Sequence, residues 1–178
     1  MLASSEVYKI TVKTGDRKRA GTDANVTIVL RDCKGNSTKE AKLDNFLRDD
    51  FERGRTDKFT VKDKTKLDEV HFIELCRDDA GLFSDWYVDH VTVTIKSSDQ
   101  DFVFPIYRWI RPNFKYRIVH LDTFLPQEDP HQEQRQIELE EKKNVYEYEQ
   151  KITDGPSQQC MRDEQGERKA GGGREGEG

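Results

Sequence analysis

Apolar and polar residues alternate along the first two-thirds of the chain with the period of extended strands. Tyr8, Ile10 and Val12 alternate with Lys9, Thr11 and Lys13, the spacing of a half-buried strand whose successive side chains take opposite faces. Val26-Thr27-Ile28-Val29-Leu30 is a second, more buried run, separated from the first by turn chemistry at Gly15-Asp16 and Gly21-Thr22-Asp23. Lys34-Gly35-Asn36-Ser37 marks another turn between strands. Phe59-Thr60-Val61, the run from Val70 to Cys76, and Val91-Thr92-Val93-Thr94-Ile95 continue the series. Phe102-Val103-Phe104 precedes Pro105, so that strand stops there or lies at a sheet edge, where a missing N–H does no harm. Several short strands with no helical period between them predict an antiparallel β-sandwich.

The pattern changes after about Leu125. Asp129-Pro130 followed by Gln132 reads as an N-cap, a proline at the first helical position and an acceptor three residues past the cap. A charged stretch runs from there to Gln150, with Glu138 and Lys142 at helical pair spacing. Its apolar residues (Ile137, Leu139, Val145, Tyr146 and Tyr148) form a ragged stripe. Alone such a helix is marginal in water, so the spacing predicts a helix over 129–150 that docks on another surface. From Asp154 onward Ile, Leu, Val, Phe, Trp and Tyr are absent, while seven of the twelve glycines fall there. That composition buries too little apolar surface to offset the entropy of ordering. The expected organisation is a sandwich over 6–117, a connector and helix over 118–150, and a disordered Gly/Glu/Arg-rich tail over 151–178.

Composition narrows the class. The 178 residues are 33% hydrophobic and 37% charged, with a net charge of −5; typical domains are about 45–50% apolar and about 25% charged, and the tail accounts for part of the difference. Mild acidity argues against a nucleic-acid binder, for which a basic face is expected. No run approaches the roughly 20 apolar residues that span a bilayer, and Met1-Leu2-Ala3-Ser4-Ser5 has neither the basic flank nor the apolar stretch of a signal peptide. Cys33, Cys76 and Cys160 are odd in number and lack metal-type spacing, which favours a reducing, cytoplasmic setting.

Carboxylates cluster between the strands, in Gly21-Thr22-Asp23-Ala24-Asn25, Asp49-Asp50-Phe51-Glu52 and Asp78-Asp79-Ala80-Gly81. Calcium takes roughly six to eight oxygen ligands from carboxylates, amides, carbonyls and water, a number that three such loops supply if they meet at one end of a sandwich. Asp, Asn and Gly are equally the ordinary residues of turns, and no EF-hand pattern is present, so both readings stand on spacing alone. Beside these loops, Gly81-Leu82-Phe83-Ser84 reads as an apolar loop tip, and Trp109 follows Tyr107-Arg108. Trp86 opens the run into the strand at Val91 and is read as a core residue.

Several of these motifs together carry a resemblance. Ala20-Gly21-Thr22-Asp23-Ala24-Asn25, Asp50-Phe51-Glu52-Arg53-Gly54, Asp85-Trp86-Tyr87 and Phe104-Pro105-Ile106-Tyr107-Arg108-Trp109 resemble, in order, the N-terminal PLAT (lipoxygenase homology) domain of animal lipoxygenases. The coral-type arachidonate enzymes look nearest. Gln134-Arg135-Gln136-Ile137-Glu138-Leu139-Glu140 is similar to the first helix leading into their catalytic domain. The resemblance implies an eight-stranded sandwich that binds calcium through its end loops and then associates reversibly with a phospholipid membrane. By matching motifs, the implied calcium ligands are Gly21 (backbone), Thr22, Asp23, Asn25, Asp49, Asp50, Glu52 and Asp79. The implied membrane contacts are Leu82, Phe83 and Trp109. Lys18 and Arg19 stand where relatives carry aromatics and favour anionic headgroups instead.

The iron chemistry of that family needs several histidine ligands on long helices. His71, His90, His120 and His131 form no i, i+4 pair. His71 and His90 fall in predicted strands and read as structural, and His120 and His131 as solvent-exposed. Neither iron nor catalysis is therefore expected in this chain, which departs from the family at about Gln150, as a truncated product would. Three functions follow: a non-catalytic, calcium-dependent membrane-binding module; an N-terminal fragment of an iron-dependent fatty-acid dioxygenase; or a protein-interaction module whose partner, or a catalytic domain, docks on 129–150.

Overall fold

The computed structural model describes residues 5–45, 48–81, 86–121, 127–128, 132–149 and 158–161. The chain divides into two compact units, 1–123 and 124–178.

The first unit is a sandwich of two antiparallel four-stranded sheets. One contains β1 (Glu6–Thr14), β4 (Thr56–Asp63), β6 (Tyr87–Ile95) and β7 (Gln100–Trp109), in the order β4-β1-β6-β7. The other contains β2 (Val26–Arg31), β3 (Ala41–Leu43), β5 (Phe72–Arg77) and β8 (Tyr116–Val119), in the order β3-β2-β5-β8. Alternation decides which face is inside. In β4, Asp57, Phe59, Val61 and Asp63 are buried while the residues between them are exposed, the period of a one-sided sheet. Tyr8, Ile10 and Val12 of β1 and Val91, Val93 and Ile95 of β6 face Ile28, Leu30, Ile73 and Leu75 of the other sheet within one core. Pro105 does not end β7, because that strand lies at the sheet edge, where the absent N–H breaks no central ladder.

Aromatic side chains with polar ends are satisfied inside the core. The Tyr8 hydroxyl donates to Thr65 O at 2.8 Å and accepts from Leu67 N at 2.9 Å, so a fully buried phenol uses both of its capacities. Burial pushes its pKa up, the main cause of the shift. Trp86 is fully buried and donates from Nε1 to Thr14 Oγ1 at 3.2 Å. Phe51 packs between Phe59 (centroids 5.3 Å apart) and Trp86 (4.9 Å).

The sandwich runs past residue 117. β8 ends at Val119, His120 N donates to His71 O, and Leu121 N donates to Val103 O. His120 is also not the exposed side chain expected: its ring sits edge-on to Phe102 and Phe104 with Nδ1 3.0 Å from Val103 O. His131 lies outside the described residues.

In the second unit, helix α1 (Gln132–Val145) stops short of the expected end. The next residues form β9 (Tyr146–Glu149), paired antiparallel with β10 (Gln158–Met161). The reason is local: Tyr146-Glu147-Tyr148-Glu149 alternates with period two and is rich in an aromatic that favours strands. β10 lies within the stretch expected to be disordered; the rest of that stretch is outside the described residues.

Candidate metal centre

The register of the strands brings three loops to one end of the sandwich. β1 leaves the sheet with Lys13 opposite Thr56 and Thr14 opposite Val88, at the starts of β4 and β6. β2 enters at Val26 opposite Leu43 and Arg77, the last residues of β3 and β5. The 15–25 loop, residues 44–45 and 48–55 of the second loop, and the 78–81 segment therefore share that end.

Backbone contacts fix them to one another. Thr22 N donates to Phe51 O at 3.3 Å, and Gly54 N to Gly15 O at 3.1 Å. A methyl group added at Gly21 would lie 3.1 Å from both Arg53 N and Phe51 O, so this residue lets the first loop lie against the second. The third loop meets the first at Gly81, whose φ is +93° and whose missing Cβ would stand 2.7 Å from Asp23 Cβ.

Phe51 anchors the second loop. It is 3% exposed and held at φ 61°, a left-handed conformation costing an ordinary residue about 1–2 kcal/mol. Its aromatic packing offsets that strain, as does the hydrogen bond from its N–H to the buried Asp57 carboxylate at 2.9 Å. With Phe51 pinned inward, its neighbours lie at the surface.

Between the first two loops and the end of β3 lies a cavity of about 260 Å³, lined by Thr22, Asp23, Asn25, Asp44, Asp49 and Asp50, with Lys42 and Arg48 at its wall. Five expected ligands thus surround one space. Gly21, Glu52 and Asp79 are not in the lining: Gly21 is wedged against the second loop, and Glu52 and Asp79 are exposed beside it. Asp44, absent from the expected set, joins because it directly follows β3, a three-residue strand that the alternation does not reveal.

Some of these oxygens already have partners. Asp50 accepts from Asn45 N at 2.6 Å and Asn45 Nδ2 at 2.8 Å. Thr22 Oγ1 accepts from Ala24 N. Asn25 donates through N and Nδ2 to Asp78 at 2.8 and 2.6 Å, and Asp78 N returns a bond to Asn25 O. Asp78 is therefore the clamp between the third and first loops. The Asn25 side-chain amide, followed by the Ala80 N–H, holds its carboxyl below the usual range.

The donor chemistry suits a hard cation, since the lining side chains are oxygen-rich and lack thiol and imidazole. Among the described residues no three His, Cys, Asp or Glu side chains converge tightly enough to hold an ion as they stand. Asp23, Asp44 and Asp49 are exposed and the Lys42–Asp44 pair at 3.2 Å is open to solvent, so their reorientation is opposed only by weak contacts.

The expected membrane contacts are placed as follows. Lys18 and Arg19 are exposed in the first loop, Arg19 at φ 62°. Trp109, at the end of β7, is half-buried and packs edge-on to Tyr87 at 5.4 Å, whose ring lies 4.1 Å below the Arg17 guanidinium. All belong to the same end as the cavity. Leu82 and Phe83 lie outside the described residues.

Residues 8–125 match the PLAT/LH2 domain family. The allene oxide synthase-lipoxygenase protein of Plexaura homomalla is 35% identical over 156 residues, 84% of this chain and 14% of that protein. Lipoxygenase homology domain-containing protein 1 of Mus musculus is 36% identical over 103 residues, 58% of this chain and 5% of that protein. Among solved structures, coral 8R-lipoxygenase, described as calcium-activated via a C2-like domain, aligns with a TM-score of 0.63 at 34% identity, covering 86% of this chain and 23% of that one. A calcium-dependent 11R-lipoxygenase aligns with a TM-score of 0.56 at 32% identity, covering 82% and 22%. The chain thus spans under a quarter of each of these relatives.

Proposed function

The chain belongs to the PLAT/LH2 domain family, and from that premise we propose that it is a calcium-dependent membrane-binding module that acts by binding rather than by catalysis. One observation carries this reading: an oxygen-lined cavity between two loops shares the end of the sandwich with exposed Lys18 and Arg19 and with Trp109. The residues that would hold calcium are Asp23, Asp49 and Asp50, with Asp44, Asn25 and Thr22 completing an oxygen set. Bound calcium would neutralise the carboxylates and supply a positive centre for headgroup phosphates.

The chain's own residues have separate tasks. Lys18 and Arg19 attract anionic headgroups, each worth about 1 kcal/mol near the surface. Together they contribute about 2 kcal/mol, a factor of roughly thirty in affinity, too little to hold the chain on a membrane while four carboxylates face it. Trp109 suits the interfacial region, with an apolar ring and one polar N–H. In a longer chain carrying an oxygenase domain, as in the lipoxygenase relatives, the same end would bring that domain to its lipid source.

Co-sedimentation of the full chain with phosphatidylserine–phosphatidylcholine vesicles, in calcium and in chelator, tests this. The chain should pellet in calcium and stay soluble in chelator, and Asp23→Asn with Asp49→Asn should abolish pelleting. Equal pelleting with chelator would assign attachment to Lys18 and Arg19 alone. No pelleting in either condition would overturn the membrane reading.

A further inference from the structure

The outward face of the β3-β2-β5-β8 sheet carries a charge arrangement that the cavity does not use. Glu74 of β5 has a side chain only 3% exposed, and Arg31 of β2 donates to it from Nε at 3.0 Å and Nη2 at 3.4 Å. Arg117 Nε of β8 lies 3.4 Å and Lys115 Nζ 3.6 Å from the same carboxylate. One buried anion organises three cations from two strands and the residue before one of them. Both guanidiniums also stand over Phe72, with their carbons 6.0 Å and 5.9 Å from its ring centroid. Arg31, Lys115 and Arg117 set three positive charges against the single negative charge of Glu74, with the guanidinium planes oriented before any partner arrives. Arg117 and Lys115 remain half-exposed, and Arg31 about one-third.

We propose that this face docks an acidic segment of a protein partner, whose Asp or Glu carboxylates meet Arg31, Lys115 and Arg117 while its chain covers Phe72. Arginine and aromatic residues are both enriched at protein interfaces, and guanidinium forks match carboxylates in two-pronged geometry. The position excludes a membrane as the occupant when the cavity end is engaged. Val26 adjoins the cavity and Arg31 ends the same six-residue strand, so at roughly 3.3 Å per residue the two lie about 17 Å apart along the flank. A flat surface meeting the loop end leaves that flank clear.

The test retains the full chain on immobilised poly-glutamate in chelator, so that the calcium site takes no part. Arg31→Ala with Arg117→Ala should weaken retention by about tenfold or more, the weight of one charge-assisted contact. Lys58→Ala with Lys62→Ala, on the outer face of the other sheet, should leave retention unchanged. Because Glu74 loses partners in the alanine variant, Arg31→Lys with Arg117→Lys provides a second reading. It keeps charge beside Glu74 but loses the planar fork, and should bind severalfold more weakly than the wild type. Equal retention of wild type and both arginine variants would overturn the proposal. Equal weakening by the Lys58/Lys62 variant would do the same, as the mark of diffuse charge. Binding to phosphatidylserine vesicles in chelator that depends on Arg31 and Arg117, without binding to poly-glutamate, would replace the protein partner with a lipid surface.

Discussion

Asp78 and Phe51 do at the residue scale what holds the cavity open. Asp78 ties Asn25 through two of its side-chain contacts, and its carboxyl is held low, as is that of Glu6, first by the Ser97 side chain and then by the Val7 N–H. At Asp63 burial pushes upward, but the Thr65 and Lys39 N–H groups outweigh it and the net direction is down. A carboxyl with a folded pKa below its unfolded value of about 3.9–4.3 stabilises the fold above that pH, and the stability is lost as pH falls through the folded value. Urea unfolding across pH should therefore show stability level above about pH 5 and falling below about pH 4. Asp78→Asn should make that fall shallower; an unchanged slope would contradict the clamp. Phe51→Ala should cost about 3–5 kcal/mol in the same measurement and collapse the cavity, because it removes the ring between Phe59 and Trp86. The core role of Trp86 is legible from its place beside a clean strand. The left-handed backbone of Phe51 is not, since nothing in Asp50-Phe51-Glu52 distinguishes an inward ring from an exposed one.

Among the elements, the strands with clear alternation are those the sequence reveals. β1, β2, β4, β5, β6 and β7 all contain an alternating or continuous apolar run. β3 and β8 span three and four residues, too short for a period to register, so nothing in the pattern points to Asp44 directly after β3. Asp23, Asn25 and Asp50 enter the sequence reading because oxygen-bearing side chains stand out in loops between apolar strands, and the structure places all three around the cavity. Asp78 stands out as part of Asp78-Asp79-Ala80-Gly81, but only the register of β5 against β2 shows that it, rather than Asp79, reaches Asn25. The sequence predicts a longer α1 than the structure shows because Tyr146 and Tyr148 fit a ragged helical stripe as readily as a strand. Loop packing gives a prediction at this scale. Gly81→Ala places a methyl group against Asp23 and forces a non-glycine residue to φ +93°, a strain of about 1–3 kcal/mol. It should lower the melting temperature by several degrees and weaken calcium binding; a variant with wild-type affinity would show that the third loop does not shape the site.

At the scale of the sandwich, the proposed calcium site lies at the loop end and the proposed docking site on the outer flank of the β3-β2-β5-β8 sheet. The sandwich keeps them apart, since strand length sets the distance between them and neither needs the other to form. Calcium that binds the folded chain alone must stabilise it, by about 2.7 kcal/mol at a hundredfold excess over the dissociation constant. Calcium titration of the full chain, followed by calorimetry and by the melting temperature, tests the central claim most directly. The account predicts saturable binding with a rise of several degrees in the wild type, and neither heat nor shift for Asp23→Asn with Asp49→Asn, two exposed changes that leave the fold intact. Saturable binding that survives in that variant would place the ion elsewhere, and no binding by the wild type would contradict the metal centre itself.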